Sequence, residues 1–208
     1  MRTIGDVLAR RVEAGHEIPS RWAETMRQLG SMDHALYETV ARTTTPNLDV
    51  PVRRLSDAAN YSRIWLVIAT GVAIVGGKRG RRAALEGLLS IGVTSAVVNL
   101  GAKPLLRRRR PDRSRRDLFG ARHTRMPTSA TFPSGHAASA FAFAHTVGRT
   151  IPGLALPLGL LAGAVAYSRV HTGVHYPGDV VVGSIVGAGT AAMVTGALER
   201  ERTRHGRR

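Results

Sequence analysis

The chain contains no cysteine, only two lysines among its 30 basic residues, and few aromatic side chains. Without cysteine, the sequence excludes disulfides, thiolate metal sites and a cysteine nucleophile. Aromatic residues make up 5% of the sequence, which is too few for the stacking platforms that bind single-stranded nucleic acid. The sequence also lacks a recognisable nucleic-acid-binding module. We therefore expect no specific nucleic-acid partner, despite a formal net charge of +16.

The positive charge then favours an anionic membrane surface, and the distribution of apolar residues supports that interpretation. The mean hydropathy of -0.06 is typical of a soluble protein, but it averages over regions of different character. Residues 1–60 mix polar and apolar side chains at helical spacing, whereas apolar stretches dominate residues 61–199. Residues 200–208 are a basic tail. The sequence thus predicts an N-terminal amphipathic, interfacial helical region, a membrane-embedded domain and a short tail.

Five apolar stretches, separated by short charged loops, occupy residues 64–77, 84–102, 137–151, 153–168 and 180–198. A membrane span needs about 20 apolar residues, with roughly 17 as the short limit. Two stretches qualify, and the other three are short or contain a polar residue. A soluble helical bundle is the alternative, but five such helices exceed what a small soluble core would bury. We predict an all-α fold, a polytopic membrane helical bundle of five to six spans. Gly159 and Gly163, and likewise Gly183 and Gly187, are spaced for close helix packing in lipid.

The first polar motif is KPLLRRRRP, which begins at Lys103 and ends at Pro111. Lys103 lies at the end of an apolar stretch, and Arg110 follows seven positions later. An arginine cluster can simply flank a membrane span. That explanation accounts less well for a lysine in a chain that uses arginine at 28 of its 30 basic positions. A compact ammonium group is suited to a phosphate oxygen in a different way from a planar guanidinium.

The second motif is TFPSGHAASAFAFA, which begins at Thr131. Ser134 is a natural N-cap for a helix, and Gly135 allows the backbone to approach a ligand closely. The N–H groups exposed at such a helix start attract phosphate, and His136 would then point at the same anion. A capping serine followed by an incidental histidine is the alternative for this motif taken alone.

The third motif is SRVHTGVHYPGD, in which Arg169 ends an apolar stretch and His175 precedes Asp179 by four residues. If the segment is helical, Asp179 can accept a hydrogen bond from one nitrogen of His175. The other nitrogen would then be free to attack, as in a base oriented by a carboxylate. Pro177 can shift the start of the helix, and a buried pair without a catalytic role is the alternative.

All three motifs lie at the ends of apolar stretches, and two stretches separate the second motif from the third. The motifs can therefore meet at one membrane face. Their order, K-x6-RP, then PSGH, then SR-x5-H-x3-D, resembles the type 2 phosphatidic acid phosphatase family, which is related to the vanadium-dependent haloperoxidases. The resemblance covers roughly residues 64–198. We count five apolar stretches where six spans are usual in that family, so residues 33–50 are expected to supply an interfacial helix.

The resemblance implies a catalytic role for three residues and phosphate binding for five. His175 would be the nucleophile that forms a phosphohistidine, Asp179 would orient it, and His136 would protonate the leaving oxygen. The implied phosphate ligands are Lys103, Arg110, Ser134, Gly135 and Arg169. Three cations can compensate the charge of the phosphate, so we expect a metal-independent phosphatase with no cofactor. We interpret His171 as a residue at the rim of the site.

The resemblance further implies a multi-pass protein of the bacterial plasma membrane whose substrate is a lipid phosphate. A polyprenyl phosphate or diphosphate carrier of cell-envelope synthesis is the first expectation. Phosphatidic acid, phosphatidylglycerol phosphate and a polyprenyl-phosphoryl sugar phosphate remain open. The sequence leaves the membrane face of the site and a possible homo-oligomer undecided. A vanadate-dependent haloperoxidase is disfavoured because those enzymes are larger and soluble, and a non-catalytic membrane scaffold does not explain three complete motifs.

Overall fold

The computed structural model describes residues 20–106, 108–113 and 121–205. In this part of the chain, the elements longer than ten residues are seven α-helices. They are α1 (Ser20–Arg42), α2 (Pro46–Ala58), α3 (Arg63–Val75), α4 (Gly77–Ala96), α5 (Gly135–Thr150), α6 (Ala155–His171) and α7 (Pro177–His205). The predicted all-α fold is confirmed. Residues 1–19 of the predicted interfacial region and residues 206–208 of the tail lie outside the described residues.

Three helical segments are long and apolar enough to cross a membrane: Gly77–Leu105, Pro152–His171 and Pro177–His205. The pair Pro46–Ala58 and Asn60–Val75 is bent by 67° and counts as a fourth if it crosses as one unit. This count is lower than the five to six spans expected from sequence. The reason is length, because the 16 residues of α5 and the 13 of α3 extend only about 24 and 20 Å, less than the ~30 Å hydrocarbon core.

Helix α5 is the centre of the bundle and packs against α4, α6 and α7. Nine of its residues are buried, and five of these are alanines, which allow neighbouring helices to approach closely. A Cβ atom on Gly183 would lie 2.5 Å from the carbonyl oxygen of Ser134, and one on Gly187 would lie 2.1 Å from that of Ala138. Close packing at this pair of α7 glycines was predicted and is confirmed. The prediction is wrong for Gly159 and Gly163, since no described atom of another helix lies within 4 Å of a Cβ at either position.

The helices α4, α5, α6 and α7 bring the three sequence motifs to the same end of the bundle. Helix α4 continues through a π-helical turn at Val97–Ala102 into the short segment Lys103–Leu105. π-Turns are frequent at functional sites because they change which way the following side chains face. The other motifs lie at the start of α5, the end of α6 and the start of α7.

The first two helices pack against this same end of the bundle. Helix α1 contacts α6 and α7, where the ring of Tyr37 lies 5.2 Å from that of Tyr176. Helix α2 begins at Pro46, contains Pro51 and packs against α6. A 3-10 turn over Asn60–Ser62 then leads into α3.

Candidate active site

His175 lies two residues before the start of α7, and Asp179 is the third residue of that helix. Both side chains are buried, with 1% and 0% of their surfaces exposed. His175 Nδ1 lies 3.4 Å from Asp179 Oδ2. The i,i+4 contact expected from the sequence is therefore present, but this distance is longer than that of a strong hydrogen bond.

Thr131 bridges the gap between His175 and Asp179. Its buried hydroxyl donates to Asp179 Oδ2 over 2.6 Å, and its Oγ lies 3.0 Å from His175 Nδ1. Because the single hydroxyl hydrogen points to the carboxylate, Oγ can only accept from the ring Nδ1–H. This arrangement favours the tautomer in which Nε2 of His175 carries no proton and is free to attack.

Asp179 is held by further contacts that the sequence reasoning missed. The backbone N–H of Tyr176 donates to Asp179 Oδ2 over 2.9 Å, and Arg108 Nη1 donates to Oδ1 over 2.8 Å. Arg108 Nη2 also lies 2.6 Å from Asp33 Oδ2, and its guanidinium stacks 3.9 Å above the ring of Tyr176. One buried arginine thus joins the carboxylate of α7 to a carboxylate of α1.

Arg110 faces the other nitrogen of His175. Its Nη1 lies 3.4 Å from His175 Nε2 and donates to the carbonyl oxygen of Val174 over 2.8 Å. Its Nε donates to the carbonyl oxygen of Ser129, whose hydroxyl accepts from Lys103 Nζ over 3.2 Å. The two basic residues that the spacing of the first motif selected therefore converge on Ser129, next to the nucleophile candidate.

The start of α5 lies beside Lys103. Ser134 is the N-cap of α5, and its Oγ accepts from the backbone N–H of Ala137 over 3.5 Å, as its position in the sequence predicts. The backbone N–H of Ser134 donates to the carbonyl oxygen of Asp179 over 2.9 Å, which ties the start of α5 to the start of α7. A Cβ atom on Gly135 would lie 3.8 Å from Lys103 Nζ, so the ammonium group lies directly against the first turn of α5.

Arg169 supplies the third cation, from the last turn of α6. Its side chain is fully buried, and Nη1 donates to the carbonyl oxygen and the hydroxyl of Ser56 in α2. Among the described residues, Nε and Nη2 have no hydrogen-bond partner. Buried guanidinium donors without partners are costly, and an anion placed against them would remove that cost. The carbonyl oxygen of Arg169 accepts from the N–H groups of Val174 and His175, which fixes the loop that carries the histidine.

His136 lies in the first turn of α5, and its Nε2 is 3.0 Å from Asn60 Oδ1. The cationic side chains of Arg169, Lys103 and Arg110 lie close enough to interact electrostatically with the imidazole of His136. His136 also lines a cavity of about 200 Å³ between α3, α4 and α5. The hydroxyl and amide side chains of that cavity belong to Tyr61, Ser62, Ser95, Asn99 and Ser139.

The sequence led us to interpret His171 as a residue at the rim of the site, but the structure places it in the interior. It is 1% exposed, and its Nε2 lies 3.1 Å from Asp49 Oδ1, so that it joins α6 to α2. Its Nδ1 lies 3.3 Å from the hydroxyl of Tyr167. Through these contacts, His171 is a buried structural residue that connects α6 to α2.

The electrostatics of the loop before α7 favour a neutral imidazole. Burial lowers the pKa of His175 to about 4, although the hydrogen bond to Asp179 and the charge of that carboxylate act in the opposite direction, and Arg110 and Arg169 lower it further. Burial also lowers the pKa of Arg110 to about 10, which leaves its guanidinium charged at neutral pH. The site therefore presents a neutral imidazole beside side chains that are cationic at neutral pH.

This arrangement suits an attack on phosphorus. His175 Nε2 can approach a phosphorus atom whose oxygens contact Arg110, Arg169, Lys103 and the start of α5. In the described parts of the chain, no group of three or more histidine, aspartate or glutamate side chains could hold a metal ion. Beside the site, a groove of about 940 Å³ is lined by Lys103, Arg109 and Arg110, among others.

Comparison with known proteins agrees with the fold and the motifs. The chain matches the PAP2 superfamily over residues 83–202. It is similar to the decaprenylphosphoryl-5-phosphoribose phosphatase of Mycobacterium tuberculosis, at 36% identity over 162 residues that cover 76% of this chain and 87% of the relative.

Two solved structures share the fold at 22% sequence identity. The crystal structure of Aquifex aeolicus LpxE has a TM-score of 0.65 and covers 79% of this chain and 94% of its own. That of the transmembrane PAP2 type phosphatidylglycerolphosphate phosphatase from Bacillus subtilis has a TM-score of 0.64 and covers 94% and 92%. The resemblance expected from the three motifs is confirmed by the family match and by both folds. The chain belongs to the PAP2 superfamily, and it is a multi-pass membrane phosphatase with the all-helical transmembrane fold of that superfamily.

Proposed function

We propose that the chain removes the terminal phosphate monoester from a polyprenyl-phosphoryl sugar phosphate in the membrane, through a phosphohistidine at His175. The observation that carries this proposal is the imidazole of His175, whose Nδ1 is engaged by Thr131 and Asp179 while Nε2 faces Arg110. A histidine held in this tautomer by a buried carboxylate is an activated nucleophile.

In the first step, the lone pair of His175 Nε2 forms a bond to phosphorus while the bond from phosphorus to the substrate oxygen breaks. The leaving oxygen takes its proton from His136, which is an imidazolium once the bound phosphate offsets the neighbouring cations and which becomes neutral on donating the proton. In the second step, His136 takes a proton from water, the water oxygen attacks phosphorus, and the bond from phosphorus to Nε2 breaks. Inorganic phosphate leaves, and both histidines return to their starting protonation states.

Charge compensation in this proposal comes from the protein. Phosphoryl transfer depends mainly on positioning and on stabilising the negative charge of the equatorial oxygens. Lys103, Arg110 and Arg169 would contact those oxygens, together with the Gly135 N–H group at the start of α5, whose N-cap is Ser134. The unpartnered donors of the buried Arg169 guanidinium support this role. A metal ion is not required for any step.

The substrate class rests on the relative and on the cavity beside His136. In an in-line displacement, the leaving group departs on the side opposite the nucleophile, where the acid must lie. The cavity on that side is lined by hydroxyl and amide groups, including those of Ser95, Asn99 and Ser139. Such groups can hydrogen-bond sugar hydroxyls, and the M. tuberculosis relative is named for a polyprenyl-linked phosphoribose. This favours the sugar phosphate over the polyprenyl phosphate or diphosphate carrier that was the first expectation from the sequence.

We further propose that α3, α4, α5, α6 and α7 are five membrane-embedded helices. Helices α1 and α2 would then lie at the interface on the side of the active site, as expected for residues 1–60. The contacts of Tyr37 with Tyr176 and of Arg169 with Ser56 support this placement, because they hold both helices against the motif-bearing end of the bundle.

The test is phosphate release by detergent-purified protein in the presence of EDTA. The substrates are a polyprenyl-phosphoryl phosphopentose, a polyprenyl diphosphate and a phosphatidic acid. We expect release from the first substrate to be the fastest, and His175→Ala to abolish it. His145→Ala is the matched control, because this histidine lies mid-helix in α5 and should be dispensable. Acid-labile phosphate trapped on wild-type protein during turnover would identify the phosphohistidine.

Two results would overturn the proposal. Full activity of folded His175→Ala protein would exclude the nucleophile, and complete dependence on an added metal ion would exclude the cationic mechanism. Faster release from the polyprenyl diphosphate would transfer the assignment to that carrier. The substitution Asn99→Ala separates the two substrates, because it should raise KM for the sugar phosphate and leave KM for the diphosphate unchanged.

A further inference from the structure

The end of the bundle opposite the active site contains a basic cavity. The start of α4, the end of α5 and the end of α7 enclose about 400 Å³ there. Helix α4 and its continuation extend 29 residues from this cavity to the active site, a distance of about 43 Å. The cationic lining residues are Lys78, Arg79, Arg82, Arg149 and Arg202. The lining carboxylates are Glu86 and Glu199, so the cavity has a net charge of +3.

Contacts within the cavity hold its guanidinium groups in place. Glu86 is 7% exposed and accepts from Arg82 Nε over 3.0 Å and from Arg202. Arg149 donates to both oxygens of Glu199, over 3.0 and 2.9 Å. Three helix ends are thereby joined through two carboxylates. The ammonium group of Lys78 is exposed and forms no hydrogen bond or ion pair with a described residue.

The excess positive charge at this position is unfavourable without an anion. The first turn of α4 contains no acidic residue, although the start of a helix carries a partial positive charge. Lys78 and Arg79 lie in that turn, and Arg79 Nε donates to the carbonyl oxygen of Thr150 at the end of α5. A phosphate group in the cavity would compensate both the cations and the helix start.

The surroundings of the cavity identify the source of that phosphate. Ile74, Val75 and Leu85 flank the start of α4, and 77%, 87% and 70% of their surfaces are exposed. Helix α4 begins a segment here that is long and apolar enough to cross a membrane, so these exposed side chains are placed where acyl chains could contact them. We propose that the cavity binds the phosphate headgroup of an anionic phospholipid, whose acyl chains lie along the exposed apolar side chains of α3 and α4. Basic pockets between helices at a membrane surface are suited to such headgroups. This proposal does not depend on the identity of the substrate.

The test is native mass spectrometry of the detergent-purified full chain, titrated with phosphatidylglycerol or with phosphatidylcholine. The test variant is Lys78→Gln/Arg82→Gln, in which Glu86 keeps Arg202 as its partner. The matched control is Arg200→Gln/Arg204→Gln, which removes two charges at the same end of α7 without touching a lining residue. At about 1 kcal/mol per basic residue, the test variant should bind phosphatidylglycerol roughly 30-fold more weakly. The control should bind like the wild type.

Three outcomes would overturn the proposal. Equal weakening in both variants would show general attraction to charge. Equal retention of phosphatidylcholine and phosphatidylglycerol by the wild type would show that the headgroup is not recognised. Displacement of phosphatidylglycerol by millimolar inorganic phosphate, with no loss in Lys78→Gln/Arg82→Gln, would place the lipid at the active site instead.

Discussion

The hydroxyl of Thr131 links the nucleophile candidate to its carboxylate, and Thr131→Val removes that hydroxyl with little change in shape. In the variant, His175 Nδ1–H faces Asp179 Oδ2 across 3.4 Å, and Oδ2 keeps only the N–H of Tyr176 as a close donor. A buried polar group that loses its partner costs about 1–3 kcal/mol. If that cost falls on the transition state, kcat decreases roughly 5- to 150-fold.

The pH profile distinguishes this role from a structural one. His175 must be neutral to attack, and burial lowers its pKa to about 4, so kcat/KM should fall as the pH drops through that value. Without the hydroxyl, the charge of Asp179 is less compensated and favours the imidazolium more strongly. The charges of Arg110 and Arg169 are unchanged. The acid limb of Thr131→Val should therefore move to higher pH.

The assay is phosphate release in EDTA across pH 3 to 9, with two further variants. Thr131→Ser keeps the hydroxyl and should restore both kcat and the acid limb. Thr146→Val removes another buried hydroxyl, which donates to Ser90 Oγ over 2.8 Å within the bundle, and should change neither. Turnover of folded Thr131→Val within about twofold of the wild type, with an unchanged acid limb, would refute the reasoning.

Three further substitutions test the other parts of the site. His136→Ala should decrease turnover of an alkyl phosphate about 10²- to 10⁴-fold but affect p-nitrophenyl phosphate far less, since that leaving group needs no proton; an equal loss on both would exclude the acid role. Lys103→Arg should raise KM and lower kcat despite the retained charge, because a planar guanidinium cannot replace the ammonium group between Ser129 and Gly135; near-normal kinetics would contradict this. Asp33→Asn should lower the free energy of unfolding by about 1–3 kcal/mol, measured by thermal melting in detergent, whereas an unchanged melting temperature would show that Arg108 does not need its second carboxylate.

The residues that the sequence identified share one property. Their roles are indicated by neighbours only a few positions away in the sequence. Ser134 caps α5 because it directly precedes the alanine-rich helix that begins at Gly135, and His175 meets Asp179 because they are four residues apart. The lysine at position 103 was notable because arginine occupies 28 of the 30 basic positions of the chain. The number of membrane spans was harder to predict from the sequence. A short alanine-rich helix such as α5 can be buried at the centre of a bundle without being long enough to span a membrane.

The residues that sequence reasoning missed act over long separations. Thr131 lies 48 positions from Asp179, and Arg108 lies 71 positions from it. The run of four arginines from position 107 gave no indication that Arg108 turns inward to the carboxylate of Asp179 while Arg110 faces His175. The only signal for Thr131 was its place at the start of a motif in which only Ser134, Gly135 and His136 had been assigned roles.

Asp33 shows why we propose that the N-terminal helices belong to the functional unit of the enzyme. Its Oδ1 accepts from the backbone N–H of Gly178 over 2.6 Å, and a Cβ on Gly178 would lie 3.1 Å from that oxygen. The carboxylate thus satisfies a free N–H at the start of α7, a role that a local N-cap side chain usually has. Its Oδ2 pairs with Arg108, which in turn pairs with Asp179 one residue after Gly178. A side chain of α1 therefore fixes both the helix start and the arginine that position the carboxylate behind His175.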